Sequence, residues 1–266
     1  MPGNIVMWGA PQSGKSTYLL SLVFWQEHRE GHEHERRLAL IPANSDTAIR
    51  IADMANQYAV ERNVSKTSTV QRLSFRLYEL APEQPRWAFL KKPAPAAHIA
   101  DLTFWDAPGE YFSGPIPDDL MPEIVRADGL MLIVDPTSSD AGQATFDYWT
   151  FFHGALGSLK NAMAEAHANG EIVAGFEPST NRIAYPVALC LSKIDRASNG
   201  GRNAQEWLNE LLGRDKAFLT GWLKNPQAFS FSATGPASTS ADQDPSPRFI
   251  MDPLAWLLGR NSAASV

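Results

Sequence analysis

One nine-residue stretch, Gly9-Ala10-Pro11-Gln12-Ser13-Gly14-Lys15-Ser16-Thr17, constrains this chain more than any other. It follows a short apolar run, Asn4 to Trp8, and opens a segment whose apolar residues recur at helical spacing. The form G-x-x-x-x-G-K-[ST] between a strand and a helix is that of a phosphate loop. Its glycines let the backbone curl through positive φ and turn N–H groups onto an anion. The helix that begins at Lys15 adds its positive N-terminal end. Lys15 brings a point charge to β- and γ-phosphates, and the Ser16 hydroxyl is a Mg²⁺ ligand. Gly9, Gln12, Ser13, Gly14 and Thr17 complete the expected cradle. Pro11 fixes φ and removes an N–H, whereas Gln12 adds a side chain near the γ-phosphate position. Chance alone produces such a match in roughly one chain in a hundred of this length.

The rest of the chain alternates short apolar runs with longer amphipathic segments. Strands are predicted at 4–8, 71–80, 99–105, 129–135, 185–191 and 228–232. Helices are predicted at 15–29, 46–62, 118–127, 143–169, 202–213 and 253–259. This alternation predicts an α/β fold with helices on both faces of a mostly parallel sheet. The full expectation is a three-layer α/β/α P-loop NTPase with a six-stranded sheet. Segment 71–80 alternates Leu73, Phe75 and Leu77 with Arg72, Ser74 and Arg76, which predicts an antiparallel edge strand with one wet face. Leu130 to Val134 is apolar throughout, as a central strand requires. Residues 1–266 are read as one domain with insertions at about 29–64, 81–97 and 234–250. The second insertion is proline-rich around Trp87 to Leu90, and the third is rich in Ser, Pro, Asp and Gly.

Composition narrows the partners. Lys and Arg total 23 against 29 for Asp and Glu, a net charge of −6 without a dense basic run. That argues against a nucleic-acid partner, because such affinity rests on neutralising phosphates. No apolar stretch reaches the roughly 18–20 residues that span a bilayer. The single cysteine, Cys190, lies in an apolar run and reads as a small buried hydrophobe in a reducing compartment. With no signal-peptide pattern at the N-terminus, the cytoplasm is the expected compartment. His28, His32 and His34 are interrupted by Gly31 and by dense mixed charge, which favours a solvated loop over a metal site.

Three further elements bear on which nucleotide the loop would hold. Trp105-Asp106-Ala107-Pro108-Gly109-Glu110 ends a predicted strand and has the form D-x-x-G. Asp106 can hold the Mg²⁺ shell, and Gly109 lets its N–H approach a γ-phosphate. The plainer reading is a strand-end turn. Ser192-Lys193-Ile194-Asp195 follows another apolar run and resembles the N/T-K-x-D motif with which GTPases read guanine. The Asp195 carboxylate would accept from N1–H and the 2-amino group, donors that adenine lacks in that arrangement. The Lys193 stem can lie along the base. Ser192 replaces the commoner Asn or Thr, and its hydroxyl can still tie this loop to the phosphate loop. Ser232-Ala233-Thr234 resembles the S-A-K/L element, where a backbone N–H at the Ala meets guanine O6, although by itself a plain exit from strand to loop is the favoured reading.

The order of these elements, each after a predicted strand, resembles the Ras-like small GTPase fold of the translation-factor-related class of P-loop GTPases. The phosphate loop combined with Asp-x-Pro-Gly-Glu is also similar to bacterial GTPases of conflict or membrane-associated multi-gene systems. The resemblance implies a GTP-binding switch with Mg²⁺ as cofactor and GTP or GDP as ligand. It implies hydrolysis of GTP to GDP and phosphate, and a protein effector or activating partner. Thr69, or Thr67 close behind it, would complete a Mg²⁺ shell formed by Ser16 and Asp106 when a γ-phosphate is present. Glu110 stands where such proteins orient the attacking water, so Glu110, Gly109 and Lys15 are the candidates for catalysis. The carboxylate of Glu110 places negative charge beside the γ-phosphate, which predicts slow hydrolysis unless a cation such as Arg62, Lys66 or Arg72 or a partner is near. The phosphate loop by itself also suits an ATP-dependent kinase or ATPase, or a nucleotide-binding scaffold without turnover.

Overall fold

A computed structural model describes residues 3–9, 13–24, 37–61, 69–80, 97–106, 120–135, 148–193, 221–233 and 250–259. In chain order the elements are β1 (Asn4–Gly9), α1 (Lys15–Phe24), β2 (Arg37–Pro42), α2 (Ser45–Glu61), β3 (Gln71–Leu80), β4 (Ala97–Asp106) and α3 (Met121–Val125). They continue with β5 (Gly129–Val134), α4 (Tyr148–Ala168), β6 (Phe176–Glu177), β7 (Arg182–Leu191), β8 (Leu223–Ser230) and α5 (Asp252–Leu257).

All eight strands join one sheet in the order β2-β3-β4-β1-β5-β7-β6, with β8 on β7 outside that path. β1 runs parallel to β4 and β5, and β7 runs parallel to β5 and β8. Ile183 of β7 pairs with Phe176 of β6 and with Leu223 of β8, so these two lie on opposite edges of β7. The central strands are apolar on both faces because both faces are covered. Ile5 and Met7 of β1 point into a layer built with Tyr18, Leu19, Ile51, Met54 and Leu254 of α1, α2 and α5. Val6 and Trp8 point the other way, into a layer with Ile124, Leu156, Leu159 and Met163 of α3 and α4. All four β1 residues are fully buried, each worth about 1.5–3 kcal/mol relative to exposure. The three-layer α/β/α reading of the sequence therefore holds.

The structure corrects three details. The sheet has eight strands rather than six, because β2 and β6 gave too little periodic signal. Leu38 to Ile41 is a four-residue apolar run beside charge, and β6 has two residues. Second, β3 is not the edge strand. β2 pairs along it in antiparallel register from Arg37↔Leu80 to Pro42↔Phe75, inside the segment read as an insertion. Alternation in β3 reports its faces, not its edges. Leu73, Phe75 and Leu77 pack under α1 and α2, whereas Arg72 and Arg76 are exposed on the opposite face. Third, antiparallel pairing is not confined to one edge strand, since β2–β3, β3–β4 and β6–β7 are all antiparallel.

The inserted β2–α2 unit is stapled to β3. Asn44 Oδ1 accepts the Thr47 N–H at 2.9 Å and so caps α2. Thr47 Oγ1, buried, accepts the Ser74 N–H at 3.0 Å, and Ala43 N donates to Ser74 O at 2.8 Å. Arg50 Nε reaches Gln71 Oε1 at 2.8 Å, at the first residue of β3. At the far end of the chain, Leu254, Leu257 and Leu258 of the last helical segment are core residues, as the sequence suggested. The predicted helix at 202–213 lies outside the described residues, as does the stretch 25–29 of the first. Among the described residues no helix is long and apolar enough to cross a membrane.

Candidate functional site

The parallel register brings the C-terminal ends of four strands to one edge. Met7 pairs with Asp106, Gly9 with Ile133 and Val134 with Leu191, so Gly9, Asp106, Asp135 and Ser192 lie side by side where the strands end. In open α/β sheets this edge is where ligands bind. Buried polar side chains mark it here. Among the described residues they are Ser13, Lys15, Ser21, Thr47, Asp106, Ser192 and Ser232, and all but Thr47 belong to this edge or to α1 behind it. Burying a polar group is unfavourable unless it is bonded, so such a concentration marks a functional surface.

The described residues of the phosphate loop are Gly9 and Ser13 to Thr17. Gly14 has φ +90°, a left-handed conformation that glycine adopts without strain. A Cβ on Gly9 would lie 2.3 Å from the Ile133 carbonyl oxygen and 2.6 Å from Ser13 Oγ, so no side chain fits there. α1 begins at Lys15, and the Tyr18 N–H donates to Gly14 O at 2.8 Å. Ser13 Oγ is buried and has no hydrogen-bond partner among the described residues. Lys15, 6% exposed, curls back so that Nζ donates to Gly9 O at 2.7 Å. Burial lowers its pKa from 10.5 to about 8, and the nearby Asp106 carboxylate pulls in the other direction.

That shift sets a pH dependence. A cation whose pKa is depressed on folding costs stability while it stays charged, below about pH 8. The unfolded chain binds the extra proton between about pH 8 and 10.5, so stability attributable to Lys15 rises with pH through that window. The melting temperature of the wild-type chain will rise relative to that of Lys15→Met between pH 8 and 10. A constant difference between the two would show that Lys15 is not desolvated.

Ser16 Oγ donates to Asp106 Oδ2 at 3.0 Å. Asp106 is 1% exposed at the last position of β4, so the hydroxyl and the carboxylate converge from α1 and β4 on one point. Hard oxygen donors of this kind suit Mg²⁺, which takes one or two protein ligands and completes its shell with water and phosphate. No cluster of three or more His, Cys, Asp or Glu that could hold a metal occurs among the described residues.

On the other side, Ser192 Oγ donates to Ser13 O at 2.6 Å, a buried bond that fastens the end of β7 to the phosphate loop. Lys193 has φ +55°, uncommon for a residue other than Gly, Asn or Asp. Its Nζ pairs with Asp135 Oδ2 at 2.6 Å. Ser232 is buried, and Ala233 O accepts from Ser21 Oγ at 2.7 Å, which docks the end of β8 on α1. Thr17 O also accepts from Ser21 Oγ, at 2.8 Å. The Tyr18 and Phe231 rings pack in a tilted pair with centroids 4.7 Å apart. Cys190 is buried one layer below, and burial pushes its thiol pKa well up.

Gly9, Ser13, Gly14, Lys15, Ser16, Thr17, Asp106, Lys193, Ser232 and Ala233 thus share one edge of the sheet. Thr69 is exposed, two residues before β3. Gln12, Thr67, Gly109, Glu110, Asp195 and Thr234 lie outside the described residues, together with Arg62, Lys66 and the histidines at 28–34. Arg72 sits over the Trp105 ring, its guanidinium carbon 5.8 Å from the centroid, and the indole N–H is held by Asn4 Oδ1 at 2.7 Å. Sequence reasoning overlooked Asp135 and Ser21. Asp135 carried a readable signal, an acidic residue just beyond a central apolar strand, as at Asp106. Ser21 carried none, since a serine within a helix has many uses.

No protein-family model matches the chain, and no curated protein matches it. Solved structures do. The Arl6 BBS3 small GTPase of Trypanosoma brucei with the bound nucleotide analogue GppNp is 14% identical, covering 97% of this chain and 96% of that one, with a TM-score of 0.44. The signal recognition particle receptor SRb-GTP/SRX complex of Chaetomium thermophilum is 10% identical, covering 91% and 95%, with a TM-score of 0.48. Roco2 RocCORdC of Methanosarcina barkeri bound to GDP is 14% identical, covering 88% of this chain and 45% of that one, with a TM-score of 0.33.

Proposed function

We propose that the chain is a GTP-binding switch that hydrolyses GTP to GDP and phosphate, slowly in the absence of a partner. One observation carries the reading. The buried Ser192–Ser13 hydrogen bond joins a phosphate loop, with its Lys15 and its Ser16–Asp106 pair, to the loop that continues into Asp195. A single ligand with phosphates at one end and a base at the other would span that junction. Lys15 would meet the β- and γ-phosphates, and the Gly14 turn and the start of α1 would present backbone N–H groups to them. Ser16 and Asp106 would hold Mg²⁺, which when bound neutralises phosphate charge. Thr69 would join that shell in the triphosphate state, ordering the segment before β3, and loss of the γ-phosphate would release it. Asp195 would select guanine through its two donors, with the Ala233 N–H at O6 and the Lys193 stem along the ring.

Equilibrium binding of GTP, ATP and xanthosine triphosphate to the wild type and to Asp195→Asn, with phosphate release followed in the same samples, tests the reading. The wild type will prefer GTP, and Asp195→Asn will weaken GTP at least about tenfold, the loss of a bond to a charged group. Undiminished GTP binding in Asp195→Asn, or a preference for ATP, would put an ATP-dependent enzyme in its place. Bound nucleotide without any phosphate release would leave a scaffold.

A further inference from the structure

We infer that Asp135, which belongs to none of the sequence motifs, is a positioning residue for the nucleoside end of the site, acting through Lys193. The inference rests on the nucleotide reading above and adds a residue to it.

β5 lies between β1 and β7, and its last ladder pair is Val134↔Leu191. Asp135 therefore leaves the sheet level with Ser192, between the strand that ends in the phosphate loop and the strand that ends in Ser192-Lys193. Among the described residues no other strand end neighbours both. Its carboxylate meets Lys193 Nζ at 2.6 Å, and the two side chains are 12% and 28% exposed, so the pair is partly withdrawn from solvent. Partial burial shields an ion pair from the screening that makes surface pairs weak.

Lys193 is constrained at its other end too. Its backbone is left-handed, at φ +55°, immediately after Ser192, which is itself tied to Ser13 O. Left-handed non-glycine residues cluster at ligand clamps, where the surroundings hold them in place. A lysine anchored at both the backbone and the ammonium has lost the freedom of its four-carbon stem. What remains is a short apolar bar, fixed beside the phosphate loop, of the kind that can support a flat ring. Without Asp135 the ammonium would lose a charge-assisted partner and the bar would be held less firmly. A ligand would then have to order it again on binding, and affinity would fall by that amount. The phosphate end does not depend on this pair, because Lys15, Ser16 and Gly14 are held by β1, α1 and β4.

The test compares a ligand that has a nucleoside with one that lacks it. GDP, ADP and inorganic pyrophosphate, each with Mg²⁺, are titrated into the wild type, Asp135→Ala, Asp135→Asn, Lys193→Ala and the double variant, and melting temperatures confirm folding. Asp135→Ala will weaken GDP about tenfold, as expected when one charge-assisted bond is lost, and leave pyrophosphate unchanged. Asp135→Asn, which keeps an acceptor, will fall between. The double variant will be no weaker than Lys193→Ala. Equal losses for GDP and pyrophosphate, an unchanged GDP affinity, or additive effects in the double variant would overturn the role of Asp135. If the wild type prefers ADP, the guanine reading falls while Asp135 is judged by the same comparison on ADP. If the wild type binds neither nucleotide, both fall.

Discussion

Gly9→Ala will cost about a hundredfold or more in nucleotide affinity and about 1–3 kcal/mol in stability. The added methyl would stand 2.3 Å from Ile133 O and 3.2 Å from its carbonyl carbon, and 2.6 Å from Ser13 Oγ. Ile133 lies opposite Gly9 in the β1–β5 ladder and is fully buried, so its carbonyl cannot retreat without opening the centre of the sheet. The clash must be relieved by the loop that follows Gly9. Displacing that loop moves Ser13, breaks its bond to Ser192 and takes Gly9 O away from Lys15 Nζ. A displacement of about 1 Å in such a constellation is enough for a hundredfold loss. Gly154→Ala is the control. Gly154 lies in α4 with nothing within 4 Å of an added Cβ, so that substitution should stabilise the helix by about 0.5–1 kcal/mol and leave binding alone. Nucleotide titration and chemical denaturation of the two variants check both halves. Wild-type affinity in Gly9→Ala would mean that the loop does not hold phosphate.

Lys15→Met will separate binding from stability. The ammonium is buried at 6% exposure, and a pKa brought from 10.5 to about 8 corresponds to a cost of order 3 kcal/mol at neutral pH. Methionine keeps the length and apolar stem of the side chain and removes the buried charge. It also removes the donor to Gly9 O, a bond to a charged group worth about 1.5–3 kcal/mol. The two changes nearly cancel, so stability should stay within about 1 kcal/mol of the wild type at pH 7. Affinity for a triphosphate has no such compensation. Loss of two charge-assisted bonds, at about 1.5–3 kcal/mol each, predicts a fall of about a hundredfold or more. Thermal melts without nucleotide and titrations with it are the two measurements. A variant that binds a triphosphate as tightly as the wild type would remove Lys15 from the phosphate site, and a strongly destabilised one would make Lys15 a structural residue.

Much of this site was legible because its chemistry is local in sequence. Residues Gly9 to Thr17 are contiguous in the chain, so their spacing alone suggests a joint purpose. Asp106 and Ser192 were legible for a related reason, each following an apolar strand that must end where the sheet ends. Asp135 satisfied the same rule and was passed over because it belongs to no motif. The errors in the sheet have a different origin. Periodicity in β3 told which side chains are wet, but edge position depends on β2, a strand whose four consecutive apolar residues carry no alternation to announce it.

The sequence by itself determined the layer architecture and the phosphate loop, because hydrophobic period and glycine placement act within one element. Only the tertiary structure decided which strand ends meet. The bonds from Ser192 to Ser13, from Ser16 to Asp106 and from Lys193 to Asp135 join residues 179, 90 and 58 positions apart. Ladder register sets such contacts, and no pattern confined to a single element encodes them.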